Sequence, residues 1–169
     1  HIIWIGDETK LPWSWIETWK LNHPDWGFKL WRNEDLHQRT WRTQRQIDQF
    51  IKDRQWAGAA DLMRYEILYK YGGVYVDADS VSVRPLDDAL LKNEMFASYS
   101  SEKHFPGQIA NGYIGAVPGH PILRDMITII ESKWTVLYKW RWWPPMLKKQ
   151  NAWKTVGAKL LTKTASKYR

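Results

Sequence analysis

A helical pattern that leads into a glycine pair, a short apolar strand and two aspartates constrains the fold more than any other part of the chain. From Trp56 to Tyr71, hydrophobic residues recur at spacings of three and four, which predicts a helix with one buried face. Gly72 and Gly73 follow, and glycine accepts the left-handed conformation that ends many helices. The sequence therefore predicts a helix, a tight turn and a buried strand that ends in Asp77-Ala78-Asp79.

Asp77 and Asp79 form a candidate metal site. In an extended backbone, side chains alternate between two faces, so we expect both carboxylates to project to one side and Ala78 to the other. Two anions held this close repel each other, and a divalent cation between them removes the repulsion. Hard oxygen ligands suit Mg²⁺ or Mn²⁺, which commonly keep open positions for the phosphates of a nucleotide. The alternative for the pair is a solvated turn.

Asp61 and Arg64 are a second candidate pair. They are three residues apart on the predicted helix, which makes them neighbours on one face. The two side chains can therefore act together on a ligand. The alternative is a solvent-exposed ion pair, which contributes only roughly 0 to 1 kcal/mol to stability.

The segment from Ala57 to Leu86 resembles the core of glycosyltransferase family 32, the Asp-x-Asp glycosyltransferase sugar-binding region. This family includes yeast-type α-mannosyltransferases and bacterial capsule enzymes, with the large clostridial glucosylating toxins as distant relatives. Two further blocks are similar to the family in the same order, one running from Ile3 to Trp26 and one from Asn111 to Pro121. Three ordered blocks make the resemblance specific, whereas a single Asp-x-Asp recurs by chance in many chains.

The resemblance implies four catalytic residues. It implies that Asp77 binds ribose or sugar hydroxyls of the donor, and that Asp79, with Asp77 beside it, coordinates the metal that bridges the diphosphate. Asp61 and Arg64 would bind the transferred sugar. The chemistry agrees, because negative charge builds on the phosphate as the sugar leaves, and a metal and a cation there stabilise that charge as it develops.

Two further donor-binding residues follow from the same resemblance: Trp4 would stack on the nucleotide base, and Tyr75 would lie beside the diphosphate. Asn111, which opens the third similar block, is a further candidate for a donor or acceptor contact. Each has a plainer alternative: Trp4 as a core aromatic, Tyr75 as a half-buried strand residue, and Asn111 as a turn cap.

The resemblance implies a GT-A type, metal-dependent glycosyltransferase with Mn²⁺ or Mg²⁺ as cofactor. We expect it to move a sugar from a nucleotide-diphosphate sugar, with UDP-sugars favoured over GDP-mannose, to a hydroxyl of a saccharide, glycolipid or protein acceptor. Retention of the anomeric configuration is expected by analogy. Two alternatives remain open: a sugar- or nucleic-acid-binding module with a decayed site, and a metal-dependent phosphohydrolase or nuclease. A DNA acceptor is a disfavoured variant of the transferase.

Strands and helices alternate along the chain. We predict a strand from Gly73 into the acidic pair, further strands over 2–5, 28–31, 81–83, 95–99 and 113–117, and helices over 12–21, 46–52, 56–71, 121–132 and 155–167. In the first helix, Trp15, Ile16 and Trp19 are expected on one buried side. This order predicts an α/β fold of Rossmann-like type, a mostly parallel sheet flanked by helices, with ligands beyond the carboxyl ends of the strands.

Composition indicates one globular domain over residues 1–169. The chain is 44 % hydrophobic and 25 % charged, and no apolar run approaches the roughly 20 residues that span a bilayer. No cysteine is present, which excludes disulfides and thiol chemistry. We expect a cytoplasmic or membrane-peripheral protein. No signal peptide is visible, although the absence of an initial methionine leaves room for an upstream segment.

The C-terminal segment, residues 133–169, is basic and rich in tryptophan. It has eight lysines, two arginines and no acidic residue, a net charge of +10, so the rest of the chain carries −3. Lysine mixed with tryptophan suits an anionic partner, such as a membrane surface or a lipid-diphosphate acceptor, nucleic acid, or the donor diphosphate. The segment is also a candidate lid over the donor. The alternative is a solvated face of a packed helix.

Overall fold

The structure is a computed structural model, and it describes residues 1–37, 40–139 and 152–168. The strands in these ranges are β1 (Ile2–Ile3), β2 (Leu30–Trp31), β3 (Gly73–Val76), β4 (Met95–Tyr99) and β5 (Ile109–Ala116). The helices are α1 (Trp13–Asn22), α2 (Gln44–Lys52), α3 (Trp56–Tyr71), α4 (Asp88–Leu91), α5 (Pro121–Lys139), α6 (Ala152–Thr155) and α7 (Ala158–Ala165). Short 3₁₀ helices cover Glu8–Lys10, Asn33–Leu36 and Ser166–Tyr168.

β3, the strand that precedes the acidic pair, lies between a parallel and an antiparallel part of the sheet. β1 pairs with β2 in parallel, and β5 pairs with β3 and with β4 in antiparallel fashion. Two backbone contacts connect the parts: the Val76 amide donates to the His1 carbonyl at 3.1 Å, and the His1 ammonium donates to the Val74 carbonyl at 2.6 Å. The described strands thus form two sheets, ordered β1-β2 and β3-β5-β4, and the two contacts of His1 place the first sheet beside β3.

The predicted α/β class is confirmed, with helices packed around a sheet that contains parallel strands. The parallel pairing is confined to the first half of the sheet, since β5 runs against both of its neighbours. A strand predicted over residues 81–83 is wrong. The backbone of Ser82 is bonded instead to side chains of α1, because its amide donates to Thr18 and its carbonyl accepts from Asn22.

The helix predictions differ in accuracy. α3 spans the predicted residues 56–71, whereas the predicted C-terminal helix is interrupted at Gly157 and forms α6 and α7. On α1, Ile16 is buried as expected, but Trp15 is 46 % exposed. Residues 140–149 of the predicted loop, and residues 140–151 and 169 of the basic, Trp-rich segment, lie outside the described residues. No described helix combines the length and the apolarity needed to cross a bilayer.

α3 is the central helix of the larger hydrophobic core. It is buried on more than one side, since it packs against α2, α5, β3 and β5. Its largest fully buried side chains include Tyr65, Leu62 and Met63. A smaller core cluster lies on the other side of the sheet and contains the following buried residues: Ile2, Leu11, Ile16, Val76 and Ala78.

Gly58 allows α2 and α3 to approach each other closely. A Cβ added at Gly58 would lie 2.6 Å from the Phe50 ring, and Phe50 is fully buried in the core. The close approach of the α2 and α3 backbones therefore leaves just enough room for the Phe50 ring.

We expect Gly58→Ala to lower the free energy of unfolding by about 1 to 3 kcal/mol, because overpacking a filled core outweighs the helix propensity that alanine adds. Urea denaturation measures the change. Gly27→Ala is the control, since no atom lies within 4 Å of the added Cβ and its φ is ordinary. A Gly58→Ala protein as stable as the wild type would contradict this packing.

Candidate functional site

The acidic pair lies on a tight turn at the end of β3. The Ser80 amide donates to the Asp77 carbonyl at 3.1 Å, and the Ser80 hydroxyl donates to the same oxygen at 2.5 Å. The prediction that the pair sits on extended backbone is therefore wrong. Ala78 is buried in the smaller core cluster, while Asp77 is half-buried and Asp79 is exposed. Both carboxylates still line one cavity.

Arg64 bridges the two carboxylates that α3 and β3 bring together. One guanidinium nitrogen lies 2.9 Å from Asp61 Oδ1 and 3.1 Å from Asp77 Oδ1, and the other donates to the Asn111 carbonyl. The Arg64 and Asp61 side chains are only 5 % and 11 % exposed. The alternative of a solvent-exposed ion pair is thus wrong. Removing one partner of such a buried pair leaves an uncompensated charge, which is strongly destabilising.

Tyr75 and Asn111 complete the polar network around Arg64. The Tyr75 hydroxyl donates to Asp77 Oδ1 at 2.7 Å, and the Arg64 guanidinium lies 4.3 Å above the tyrosine ring. The Asn111 amide donates to Asp61 Oδ1 at 2.8 Å and to the Tyr65 hydroxyl at 3.2 Å. Asn111 lies within β5, so the turn-cap alternative is wrong. Tyr75 is fully buried and also bonded to the acidic turn.

The two aspartates of the turn have different surroundings. Oδ1 of Asp77 already receives hydrogen bonds from Arg64 and Tyr75. The Asp79 carboxylate has neither a hydrogen bond nor an ion pair with any residue of the described ranges 1–37, 40–139 and 152–168. Asp77 is therefore fixed by the protein, and Asp79 is the carboxylate that remains available to a ligand.

Gly112 is a site residue that the sequence analysis did not assign. The Asp77 amide donates to the Gly112 carbonyl at 2.9 Å, and a Cβ at this position would overlap the Asp77 carboxylate. The signal was present, because an isolated glycine inside a strand often marks a close approach of another group. Gly112 allows the Asp77 side chain to lie flat against β5.

Every predicted site residue lines the same cavity, which has a volume of about 480 Å³. Its lining includes Trp4, Asp61, Arg64, Tyr75, Asp77, Asp79 and Asn111. Trp4 is half-buried at the end of β1, and its indole N–H donates to the Asp7 carbonyl at 2.9 Å. Trp56 and Lys10, which the sequence analysis did not single out, also line the cavity and add a second indole and a cation.

Burial controls the ionisation of this network. It raises the pKa of the Asp61 carboxyl to about 6, since the loss of hydration outweighs the favourable charge of Arg64. Burial also raises the pKa of Tyr65 and that of Tyr75 well above the usual tyrosine range. Both phenols are therefore protonated at neutral pH, and the pKa of Asp61 is about 6.

The fold has a counterpart among solved structures. The PaToxG glycosyltransferase superposes with a TM-score of 0.65 at 15 % sequence identity, over 99 % of this chain and 67 % of that chain. The α/β fold of this chain is thus also the fold of a glycosyltransferase structure. Residues 13–97 match the family model described as "Glycosyltransferase sugar-binding region containing DXD motif". Because this match covers half of the chain, the protein belongs to that family.

Several curated proteins are similar to this chain. Inositol phosphoceramide mannosyltransferase 3 of Schizosaccharomyces pombe is 30 % identical over 75 % of this chain and 39 % of its own length. Mannosyl phosphorylinositol ceramide synthase CSH1 of Saccharomyces cerevisiae is 33 % identical over 74 % of this chain and 31 % of its own length. The human alpha-1,4-N-acetylglucosaminyltransferase is 35 % identical over 42 % of this chain and 18 % of its own length. The chain thus spans less than half the length of these relatives.

The raised pKa of Asp61 predicts a pH-dependent contribution to stability. Between about pH 4 and pH 6 the folded state holds the Asp61 proton and the unfolded state does not, so the free energy of unfolding falls as pH rises. A shift of the Asp61 pKa from 3.8 to about 6 lowers the free energy of unfolding by about 3 kcal/mol. This loss is complete once the pH exceeds the pKa of the folded state. Denaturation of the wild type and of Asp61→Asn at several pH values between about 4 and 6 isolates the contribution of the Asp61 carboxyl. A stability difference that instead grew in favour of the wild type with rising pH would contradict the assignment.

Proposed function

We propose that this domain is a metal-dependent glycosyltransferase that moves a hexosyl group from a nucleotide-diphosphate sugar to a hydroxyl acceptor. The observation that carries the proposal is the exposed Asp79 carboxylate, which has no hydrogen bond or ion pair with the described residues, beside an Asp77 that Arg64 and Tyr75 hold in place. Both line a cavity of about 480 Å³, within the range of small-molecule sites. Family membership supports the same reaction class.

The residues of the acidic turn fit Mn²⁺ or Mg²⁺. Asp79 is free to ligate, and Oδ2 of Asp77 is the second candidate oxygen, since Oδ1 accepts from Arg64 and Tyr75. Carboxylate oxygens are the donors that these ions prefer, and phosphates of the nucleotide would complete the coordination. When bound, the metal would neutralise the diphosphate and stabilise the charge that develops on the leaving phosphate.

The remaining residues would hold the donor along the cavity. Asp61 and Arg64, deepest in the network, would fix hydroxyls of the transferred sugar, and Asn111 orients Asp61 through its amide. Tyr75 would lie beside the diphosphate as a donor of a hydrogen bond to Asp77. Trp4 presents an aromatic face to the base at the end of β1.

We further propose transfer with retention. The bond between the anomeric carbon and the phosphate oxygen breaks, the bond to the acceptor oxygen forms on the same face, and the acceptor proton passes to the leaving phosphate. Oδ1 of Asp61 accepts from Arg64 and Asn111, which suits orientation of the sugar rather than attack on it. NMR of the transfer product is expected to show the donor's anomeric configuration, and an inverted centre would contradict this route.

We propose a donor and an acceptor from the names of the relatives. Two relatives are named for mannosyl transfer to inositol phosphoceramide, which favours GDP-mannose and a glycolipid acceptor, while another is named for N-acetylglucosaminyl transfer. The residues themselves are compatible with UDP-sugars, which the sequence analysis favoured. A saccharide or protein hydroxyl remains within the proposed acceptor class.

Slow release of nucleoside diphosphate tests the proposal without knowledge of the acceptor. With UDP-glucose, UDP-N-acetylglucosamine and GDP-mannose, we expect release from one donor that needs Mn²⁺ and stops with chelator. Asp79→Asn is expected to lower this rate about 100-fold or more, because a charge stabiliser of the leaving group is lost. A coupled assay for the released nucleoside diphosphate measures this rate.

Asp88→Asn provides the matched control, since it removes an exposed carboxylate from the first turn of α4, outside the cavity. It is expected to keep the wild-type rate. Equal release by the wild type and Asp79→Asn, or release that persists with chelator, would contradict the metal role. Donor binding by calorimetry without release or transfer would favour the binding module instead.

A further inference from the structure

The segment that follows the acidic turn, residues 80–86, is held by side chains of α1. Within the described ranges, no backbone-to-backbone hydrogen bond involves residues 81–86. The Ser82 amide donates to Thr18 Oγ1 at 2.8 Å, and the Asn22 amide donates to the Ser82 carbonyl and hydroxyl, both at 2.9 Å. The backbone at Ser82 is therefore satisfied by two residues one turn apart on α1.

Trp19 of α1 and His23, the residue that caps the C-terminus of α1, contact the two ends of the segment. At its start, the Trp19 indole N–H lies 3.2 Å from Ser80 Oγ and 3.3 Å from the Ser80 carbonyl. At its end, the Leu86 amide donates to His23 Nε2 at 2.9 Å. His23 Nδ1 lies 2.9 Å from the Trp19 carbonyl, so the neutral ring with its proton on Nδ1 satisfies both contacts.

These contacts place Asp79 between two fixed points. Upstream, Asp77 is bonded through its amide to Gly112 on β5 and through its carboxylate to Arg64. Downstream, Ser80 is bonded to Trp19 and closes the turn onto the Asp77 carbonyl. Asp79 itself has an unbonded side chain in the described structure, and its direction depends on the backbone at both points.

We propose that Thr18, Trp19, Asn22 and His23, named here the α1 anchor, are positioning residues that hold the Asp79 carboxylate in the direction needed for metal binding. Ligands held by a supporting layer of hydrogen bonds lose less freedom when they bind. None of the four is itself placed against the metal or the reacting atoms. This inference rests on the proposed function, because it gives the anchor a role through Asp79.

Thr18→Val is the sharpest substitution, since it keeps the shape of the side chain and removes the oxygen that accepts from Ser82. It also removes the bond that the Thr18 hydroxyl donates to the Trp15 carbonyl at 2.6 Å, within α1. With Mn²⁺ alone as the probe, the signal of free Mn²⁺ in electron paramagnetic resonance gives the dissociation constant. We expect Thr18→Val to raise this constant roughly threefold to tenfold, the effect of losing the hydrogen bond to the Ser82 amide. Amide exchange of Ser82 is expected to accelerate in the metal-free protein.

Two companion variants separate positioning from general damage. Thr18→Ser retains the hydroxyl and is expected to bind Mn²⁺ within about twofold of the wild type. Thr128→Val removes a hydroxyl whose hydrogen bond among the described residues runs back along α5, to the Arg124 carbonyl, and it is expected to change neither readout. Asn22→Ala removes the other contact to Ser82 and is expected to act in the same direction as Thr18→Val.

The outcomes distinguish this inference from the function on which it rests. If Asp79→Asn weakens Mn²⁺ binding and Thr18→Val does not, the α1 anchor has no positioning role. Unchanged Ser82 exchange in Thr18→Val and Asn22→Ala would likewise overturn it. If Mn²⁺ binding is absent in the wild type or unaffected by Asp79→Asn, the proposed metal site fails, and the role of the anchor in metal binding fails with it.

Discussion

The buried Arg64 guanidinium is the interaction on which the rest of the site depends. It joins Asp61 on its own helix to Asp77 at the end of β3, and it reaches the Asn111 carbonyl on β5. Groups from α3, from the end of β3 and from β5 therefore all contact the same guanidinium. Since a buried cation is tolerated only with its partners in place, the ion pairs fix how α3 lies against the sheet.

Within the three-residue motif Asp77-Ala78-Asp79, the structural role and the ligand-binding role belong to different aspartates. Asp77 is committed to Arg64 and Tyr75, whereas Asp79 has no partner in the described structure and faces the cavity. Ala78 anchors the middle of the turn in the smaller core cluster. A motif with two aspartates can therefore offer one firmly held carboxylate and one available carboxylate, as the proposed binding of donor and metal requires.

The sequence predicted the order of helix, glycine turn, strand and acidic tip, because each element has a strong local signal. It did not predict that Ser80 closes a turn onto Asp77, since the bonds from the Ser80 amide and hydroxyl do not follow from a hydrophobic period. Alternation of Val81 and Val83 predicted a strand, but side chains of α1 bind the intervening Ser82. Gly112 had a recognisable signal, although its partner across the sheet is visible only in three dimensions.

A crystal structure with Mn²⁺ and UDP or GDP, analysed by the anomalous scattering of manganese, tests the central claim most directly. The account predicts one manganese peak within coordination distance of an Asp79 oxygen and of the diphosphate, with Arg64 still bridging Asp61 and Asp77. Manganese bound away from Asp79, or a guanidinium that leaves Asp77 when the nucleotide binds, would contradict it.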